Sequence, residues 1–399
     1  MSSDVFLSHP QTRVTPFDPP PELAELRETR PVTRLVYPDG HVGWLVTSHS
    51  LARAMLTDAR FSARSEFKRP PVARPGAEPF YGAPALPGWL VDMDPPEHTR
   101  LRQQLAGRFT ARRMREMLPH VEAIVGRLLD RMELLGQPVD LVEHFALPLP
   151  SQIICELLGV PYRERAAFQR HSETLFSLQV SAAEAEQAMD ELYALIREVA
   201  RLDAEDPDAG LLAQLNAEGT LDAEEIAGVG VLLLTAGHES TSKSLALSTF
   251  ALLSHPDQLA KLTADPSLID NAVEELLRYL TVFHFGVPRT PLEDVHFGGE
   301  LIRAGESVTV SLPAANRDPA RFTDEPERLD IERRTTGHLA FGYGIHQCLG
   351  QNLVRMELRT ALPALFRRFP GLRLAVAPED VPLSTDMSVF GVHRLPVAW

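Results

Sequence analysis

Cys348 lies in a glycine-rich segment, residues 341–350 (FGYGIHQCLG), which precedes apolar residues at helical spacing up to about residue 369. Glycines let a backbone approach a flat, bulky group. The start of a helix stabilises a thiolate through its free amides and its dipole. Because no second cysteine is nearby, this thiolate suits a metal that already has four ligands, as iron has in haem.

The other cysteine, Cys155, stands among apolar residues at helical spacing (SQIICELL), which predicts an inert core residue. Two cysteines are too few for a disulfide-rich scaffold or for a site built from four cysteines.

The pattern of residues 341–350 resembles the signature of the cytochrome P450 family and matches it at every position. The resemblance extends over residues 33–399 and is strongest to soluble bacterial, actinobacterial-type members. It implies a mainly α fold with minor β (α+β) that forms a single triangular domain around haem b. It also implies that Cys348 is the axial ligand of the iron, and that Phe341, Gly342 and Gly350 contact the haem. We expect an N-terminal arm at residues 1–15 and the P450 domain at 16–399.

Four side chains are candidates for binding the haem propionates. His98 and Arg102 are four residues apart and would share one face of a helix, a pattern that in isolation usually marks a solvated surface. They follow the segment DPPEH, which resembles the propionate-binding helix of the family. The same resemblance implies that Arg289 and His346 are two further propionate contacts.

Glu275 and Arg278 would also share a helix face, which by itself indicates an ordinary ion pair. The family resemblance implies a structural triad that they complete with Arg328, in the segment PERL.

A second chemical signal lies in residues 232–241 (LLLTAGHEST), where an apolar helix becomes polar. A hydroxyl here can bond back to a carbonyl one turn earlier and make room for a small ligand. An acid beside a hydroxyl can relay protons. The run resembles the alanine–glycine–x–acid–threonine motif of the family, with Glu239 as the acid. Ser240 replaces the usual threonine and Thr241 follows it, so that either hydroxyl could serve. A buried helix with a satisfied polar patch is the alternative interpretation.

The composition places limits on other functions. The chain has 399 residues, 44% of them hydrophobic, and a net charge of −15, which argues against nucleic-acid binding. The N-terminus shows no signal-peptide pattern, and the apolar run at 226–237 is shorter than the ~20 residues of a membrane span. We therefore expect a cytoplasmic protein with no membrane partner. We also expect a monomer.

Local patterns predict the elements that position these groups. Residues 33–46 indicate a β-hairpin around a Pro-Asp-Gly turn. Helical spacing predicts long helices at 114–134, 183–202 and 226–253, whereas six prolines between 64 and 88 predict an irregular lid or binding loop. Short strands are expected between 295 and 312.

The resemblance implies a monooxygenase that inserts one oxygen atom from O2 into an apolar molecule, such as a secondary metabolite or a xenobiotic. Electrons would pass from NAD(P)H through a separate ferredoxin and its reductase, and arginines after each haem-contacting helix could receive the ferredoxin. A peroxide-driven peroxygenase and a haem-binding protein without turnover remain alternatives. Candidate substrate contacts are Leu233, Leu234, Val282, Phe283, His284, Phe285 and Phe390.

Overall fold

A computed structural model describes residues 7–77, 80–202, 210–323 and 325–399. The α-helices within these ranges are α1 (Glu22–Thr29), α2 (His49–Thr57), α3 (Glu97–Ala106), α4 (Ala111–Leu135), α5 (Pro148–Leu158), α6 (Arg165–Phe176), α7 (Ala182–Leu202), α8 (Leu211–Glu218), α9 (Ala223–Ser254), α10 (Pro256–Ala264), α11 (Ile269–Leu280), α12 (Leu312–Ala315) and α13 (Gln351–Arg368). No helix in the described part of the chain is long and apolar enough to cross a membrane.

The strands are short and form three sheets. They are β1 (Leu7–Ser8), β2 (Val32–Val36), β3 (Val42–Val46), β4 (Phe61–Ser62), β5 (Val139–Asp140), β6 (Val287–Pro291), β7 (Val295–Phe297), β8 (Glu300–Ile302), β9 (Val308–Val310), β10 (Arg373–Leu374) and β11 (Pro396–Ala398). The largest sheet has the order β1-β2-β3-β9-β6-β4, a second joins β10-β11-β5, and β7 pairs with β8. Both ends of the chain therefore contribute to the minor β part.

The predicted hairpin is present as β2 and β3, which pair in antiparallel register from Val32↔Val46 to Val36↔Val42. Its turn is closed by Tyr37 N, which donates to His41 O (2.8 Å), and Gly40 has a φ of +84° that favours glycine. The sequence patterns did not predict β1, which pairs in parallel with β2. Residues that follow β1 turn inward: His9 is buried against the ring of Phe285. The boundary of the arm at residue 15 stays a prediction.

The central helix is α9, which is buried along most of its length because apolar side chains cover nearly all of its circumference. A capping box starts it: Asp222 accepts from the amide of Glu225, whose side chain accepts from the amide of Asp222. The proline-rich loop packs on its first half, where a Cβ at Gly228 would lie 1.8 Å from Pro87 O. Glycine at this position lets loop and helix touch.

A buried ion-pair cluster connects α11 to the segment before the cysteine loop. Arg278 donates to both carboxylate oxygens of Glu275 (2.7 and 2.8 Å), and both residues are fully buried. The third member is Arg333, whose Nε lies 3.3 Å from Glu275 Oε1. The prediction of Arg328 was wrong, because its side chain points to solvent and pairs with Glu325 while its carbonyl accepts from Arg333 (3.2 Å).

Candidate active site

One cavity of about 460 Å³ is lined by both segments that the sequence marked as chemical. Helix α9 contributes Leu232, Leu233, Ala236, Gly237 and Ser240, and the loop before α13 contributes Phe341, Gly342, His346, Cys348 and Gly350. Apolar side chains form most of the remaining wall. The thiol and the hydroxyl therefore face the same apolar space, although they are 108 positions apart in sequence.

The loop that carries Cys348 is held in a tight conformation. Gly342 and Gly344 adopt φ values of +66° and +73°, and a Cβ at Gly344 would lie 2.3 Å from Leu56 O. The amide of Cys348 donates to Phe341 O (2.9 Å). Helix α13 begins three residues after the cysteine, at Gln351, so that Cys348 stands just before its first turn.

Opposing effects act on the Cys348 thiol. Burial raises its pKa, whereas the amides of Gly350 and Gln351 and the charges of Arg102 and Arg355 lower it. A metal ion bound to this sulfur removes its proton outright. The described residues contain no cluster of three or more His, Cys, Asp or Glu side chains that could hold a metal. Thus Cys348 can offer one thiolate to a metal whose other ligands come from elsewhere.

Arginine and histidine side chains gather beside this loop. Arg102 donates to Gln347 O (2.6 Å), and the rings of His98 and His346 lie 4.3 Å apart. Arg289 is buried, and burial lowers its pKa to about 10. Burial lowers the pKa of His346 to about 2, and the neighbouring Arg289, His98, Lys68 and Arg102 add to this effect.

The two histidines of this group have ring nitrogens without hydrogen-bond partners among the described residues. Both ring nitrogens of His98 and Nε2 of His346 are buried without a hydrogen bond among the described residues. A ligand with carboxylates would supply acceptors and negative charge together. A porphyrin with two propionates would fit the arginines, the histidines and the single thiol of this cavity.

The three candidate relay residues on α9 face different surroundings. Ser240 lines the cavity, and its Oγ donates to Ala236 O (2.9 Å). Thr241 is buried, donates to Gly237 O (3.2 Å) and does not line the cavity. Glu239 is also buried outside the cavity wall, 3.5 Å from Lys243 Nζ. The helix thus presents Ser240, not Thr241, to the cavity.

Four of the predicted substrate contacts line the cavity, namely Leu233, Val282, Phe283 and Phe285. Leu234 does not, because α9 turns it toward the protein core, where it is fully buried.

The predictions for His284 and Phe390 were wrong as well. His284 lies between Phe283 and Phe285, which face the cavity, but its own side chain points away from it. Its Nε2 donates to Met387 O (2.9 Å). Phe390 is fully buried beneath the guanidinium of Arg13, which lies 3.7 Å from the ring centroid.

Several cavity residues were not predicted individually. The proline-rich loop provides Lys68, Arg74 and Tyr81, and Lys68 forms a buried ion pair with Asp92, which follows the loop and also lines the cavity. The prolines indicated a binding loop, but an irregular segment has no period from which inward-facing positions can be read.

Comparison with known proteins identifies relatives of this chain in sequence and in structure. The family described as Cytochrome P450 matches residues 168–398. Cytochrome P450 105C1 from a Streptomyces species is 49% identical over 384 residues, which are 96% of this chain and 96% of that protein. Pentalenic acid synthase from Streptomyces avermitilis is 43% identical over 98% of this chain and 97% of its own length. Among solved structures, a mycinamicin VIII methyl hydroxylase from Micromonospora griseorubida, bound to mycinamicin VIII, superposes with a TM-score of 0.90, 36% identity and coverage of 97% and 98%.

A mainly helical fold with a loop cysteine and an α9 hydroxyl on one cavity is the arrangement expected of a haem-thiolate oxygenase. The chain belongs to the cytochrome P450 family. It is a monooxygenase of that family, with haem iron as cofactor and O2 as co-substrate.

Proposed function

We propose that this enzyme hydroxylates an apolar small molecule, a secondary metabolite or a xenobiotic, with electrons from NAD(P)H that a separate ferredoxin and reductase deliver. The observation that carries the proposal is the cavity shared by Cys348 and Ser240, with apolar walls around both. Relatives whose names include pentalenic acid synthase and mycinamicin VIII methyl hydroxylase support a substrate of the secondary-metabolite class.

In this proposal Cys348 would bind the haem iron through its thiolate, and His98, Arg102, Arg289 and His346 would bind the propionates. Haem supplies O2 binding and the oxidation of the substrate. The amides of Gly350 and Gln351 stabilise the thiolate, and the apolar wall at Leu233 and Phe285 excludes water from the reacting carbon. Ser240 Oγ holds a proton at the cavity surface, and Glu239 on the neighbouring position resupplies it.

The proposed ferredoxin site lies where α4 packs against α13. Arg112 and Arg367 are exposed there. The side chain of Arg112 is 84% accessible, and its Nε lies 3.2 Å from Glu116 Oε1 in a solvent-exposed pair. Arg355 and Arg359 are paired with Glu274 and offer less free charge. An acidic ferredoxin would be attracted to the exposed arginines despite the negative net charge of the chain. A cytoplasmic monomer remains our expectation.

The first test is spectroscopic. Carbon monoxide bound to the reduced protein should give the red-shifted Soret band of a thiolate ligand, and Cys348→Ala should abolish it. Cys155→Ala is the matched control, because Cys155 is fully buried in the core. A normal thiolate band in Cys348→Ala would refute the assignment.

The second test concerns turnover. Product should form with NAD(P)H, ferredoxin and reductase on a panel of apolar compounds, and hydrogen peroxide alone should be a poor substitute. Efficient product formation with peroxide alone would instead indicate a peroxygenase. No product in either system would indicate a haem protein without turnover.

A further inference from the structure

A carboxylate on α11 is connected to the cysteine loop through one arginine of α13. Arg355 donates to both carboxylate oxygens of Glu274, with Nε 2.7 Å from Oε1 and Nη2 2.9 Å from Oε2. Its guanidinium also lies over the ring of Phe341, 4.5 Å from the centroid. Phe341 and Cys348 line the cavity, whereas Arg355 and Glu274 do not. The ring of Phe341 therefore connects this ion pair to the cavity wall.

Further donors hold the carboxylate of Glu274 in place. His338 Nε2 lies 3.0 Å from Glu274 Oε2, and His338 Nδ1 accepts from the amide of Ala340 (3.2 Å). The proton of this imidazole therefore lies on Nε2, which donates it to Glu274. Arg359 Nη2 lies 3.2 Å from Glu274 Oε1, and its Nε pairs with Asp270 (3.0 Å). Glu274 is thus fixed between α11 and α13.

The ion pair carries two full charges that solvent screens weakly. Burial acts to raise the pKa of Glu274, but the hydrogen bonds from His338 and Arg355 and the charge of Arg355 outweigh burial and hold this pKa at about 2. The side chains of Arg355 and Glu274 are only 19% and 22% exposed. Burial raises the pKa of the Cys348 thiol, and the charge of Arg355 is among the effects that oppose it. The field at the sulfur therefore depends on how far Glu274 offsets Arg355.

We propose that Glu274 sets the reduction potential of the haem iron by offsetting the positive charge of Arg355 behind Phe341. This inference rests on the proposed function, in which Cys348 binds the iron. Arg355 follows Cys348 by seven residues, a distance of about 10 Å at ~1.5 Å per helical residue. A unit charge at about 10 Å, with an effective dielectric constant of ~20, changes an equilibrium constant about tenfold.

The step that this pair influences is the transfer of one electron. A reduced ferredoxin, the partner in the proposed function, is oxidised, and the iron is reduced from ferric to ferrous. No bond or proton changes at Glu274 or Arg355. A nearby cation stabilises the state with the added electron, and a nearby anion stabilises the state without it. Arg355 therefore favours reduction, and Glu274 opposes it.

Spectroelectrochemical titration of the haem-loaded protein, with dithionite as reductant and ferricyanide as oxidant, tests this inference. Glu274→Gln keeps the size of the side chain and loses its charge. The ferrous-to-ferric ratio at a fixed potential should rise about tenfold, which is a shift of about +59 mV for one electron. Arg355→Gln should lower the ratio about tenfold. The double variant should lie within about threefold of the native protein, because both charges are absent.

The opposite signs of the two shifts distinguish a charge effect from a structural one. Loosening of the contact between α11 and α13 would admit water in either single variant and would shift both in one direction. Arg355→Lys keeps the charge and should lie within about threefold of the native ratio. Arg368→Gln is the matched control, because it breaks an ion pair with Asp130 at the other end of the same helix. It should change the ratio less than about twofold.

The inference is overturned if the two single variants shift in the same direction, or if neither changes the ratio by more than about twofold. In either case Glu274 only connects α11 to α13. Carbon monoxide bound to each reduced variant should give the Soret band of a thiolate ligand, which shows that the site of Cys348 is intact. A normal band with unchanged potentials contradicts only the role of Glu274, whereas an absent band in the native protein contradicts the proposed function.

Discussion

Lys243 Nζ lies 3.5 Å from Glu239 Oε1, one turn along α9, and both side chains are more than 90% buried. The same ammonium donates to Val392 O (3.2 Å). The stem of Lys243 fills the space beside Gly391, where a Cβ would lie 2.7 Å from Lys243 Cδ. The acid of the proposed relay is therefore held by a cation of its own helix, and the C-terminal segment fixes that cation.

Lys243→Met should destabilise the protein by about 3–5 kcal/mol, because it leaves Glu239 buried without its cation. The double variant with Glu239→Gln should recover most of this loss, since no charge remains to be neutralised. Denaturant unfolding of the haem-loaded proteins measures both values. Equal stability of Lys243→Met and the native protein would show that the pair contributes nothing.

Ser240→Ala should lower the product formed per electron pair about tenfold or more and release reduced oxygen species instead, because Ser240 carries the hydroxyl on the cavity wall. Thr241→Ala should leave this ratio nearly unchanged, since its hydroxyl bonds to Gly237 O outside the cavity. Product and peroxide are quantified together against the NAD(P)H consumed. The reverse order of effects would assign the relay to Thr241.

Arg333→Met should cost about 3–5 kcal/mol of unfolding free energy, because Glu275 would lose a buried cation and the carbonyls of Thr323 and Glu325 would lose a donor. Arg328→Met should change it by less than ~0.5 kcal/mol, since that side chain is 58% exposed. Chemical denaturation of the two variants distinguishes them, and a large loss in Arg328→Met would restore the original assignment of the triad.

Stability should fall in mild acid because of His284. Burial, with the charge of Arg13 as a smaller cause, lowers its pKa from 6.5 to about 3. In the unfolded chain His284 is protonated below pH 6.5, whereas in the folded protein it becomes protonated only near pH 3. The free energy of unfolding therefore declines as the pH falls from 6.5 to 3. The loss at pH 5, relative to pH 8, is about 2 kcal/mol from this residue.

His284→Gln keeps a donor for Met387 O and cannot titrate. It should therefore reduce the difference in unfolding free energy between pH 8 and pH 5 by about 2 kcal/mol. His9, whose pKa burial lowers to about 4, remains in the variant and contributes its own share. Unfolding free energies at pH 5 and pH 8 provide the measurement, and an unchanged difference between them would exclude His284 as a source of acid sensitivity.

The chemical residues of α9 and of the cysteine loop could be predicted from the sequence, because each stands in a short segment with local rules. Helical periodicity places Ser240 and Leu233 on one face, and glycines mark the loop before α13. These two segments were sufficient to predict the family, and the mainly α fold with minor β was predicted correctly as well, whereas the choice between the hydroxyls of Ser240 and Thr241 stayed open in the sequence.

Contacts between distant segments were decided by the tertiary structure. Arg333 and not Arg328 pairs with Glu275, His284 points away from the cavity, and Arg74 points into it. These three arginines and the histidine lie in irregular stretches, where the direction of a side chain follows no period. Their positions depend on which buried carboxylate, carbonyl or ring they meet after folding, as Arg333 meets Glu275. The sequence alone determined which groups can do the chemistry around Cys348. Only the packing of the folded chain decided which of these groups face the cavity. The reason is that a buried polar group is positioned by its hydrogen-bond partners, and those partners are remote in the chain.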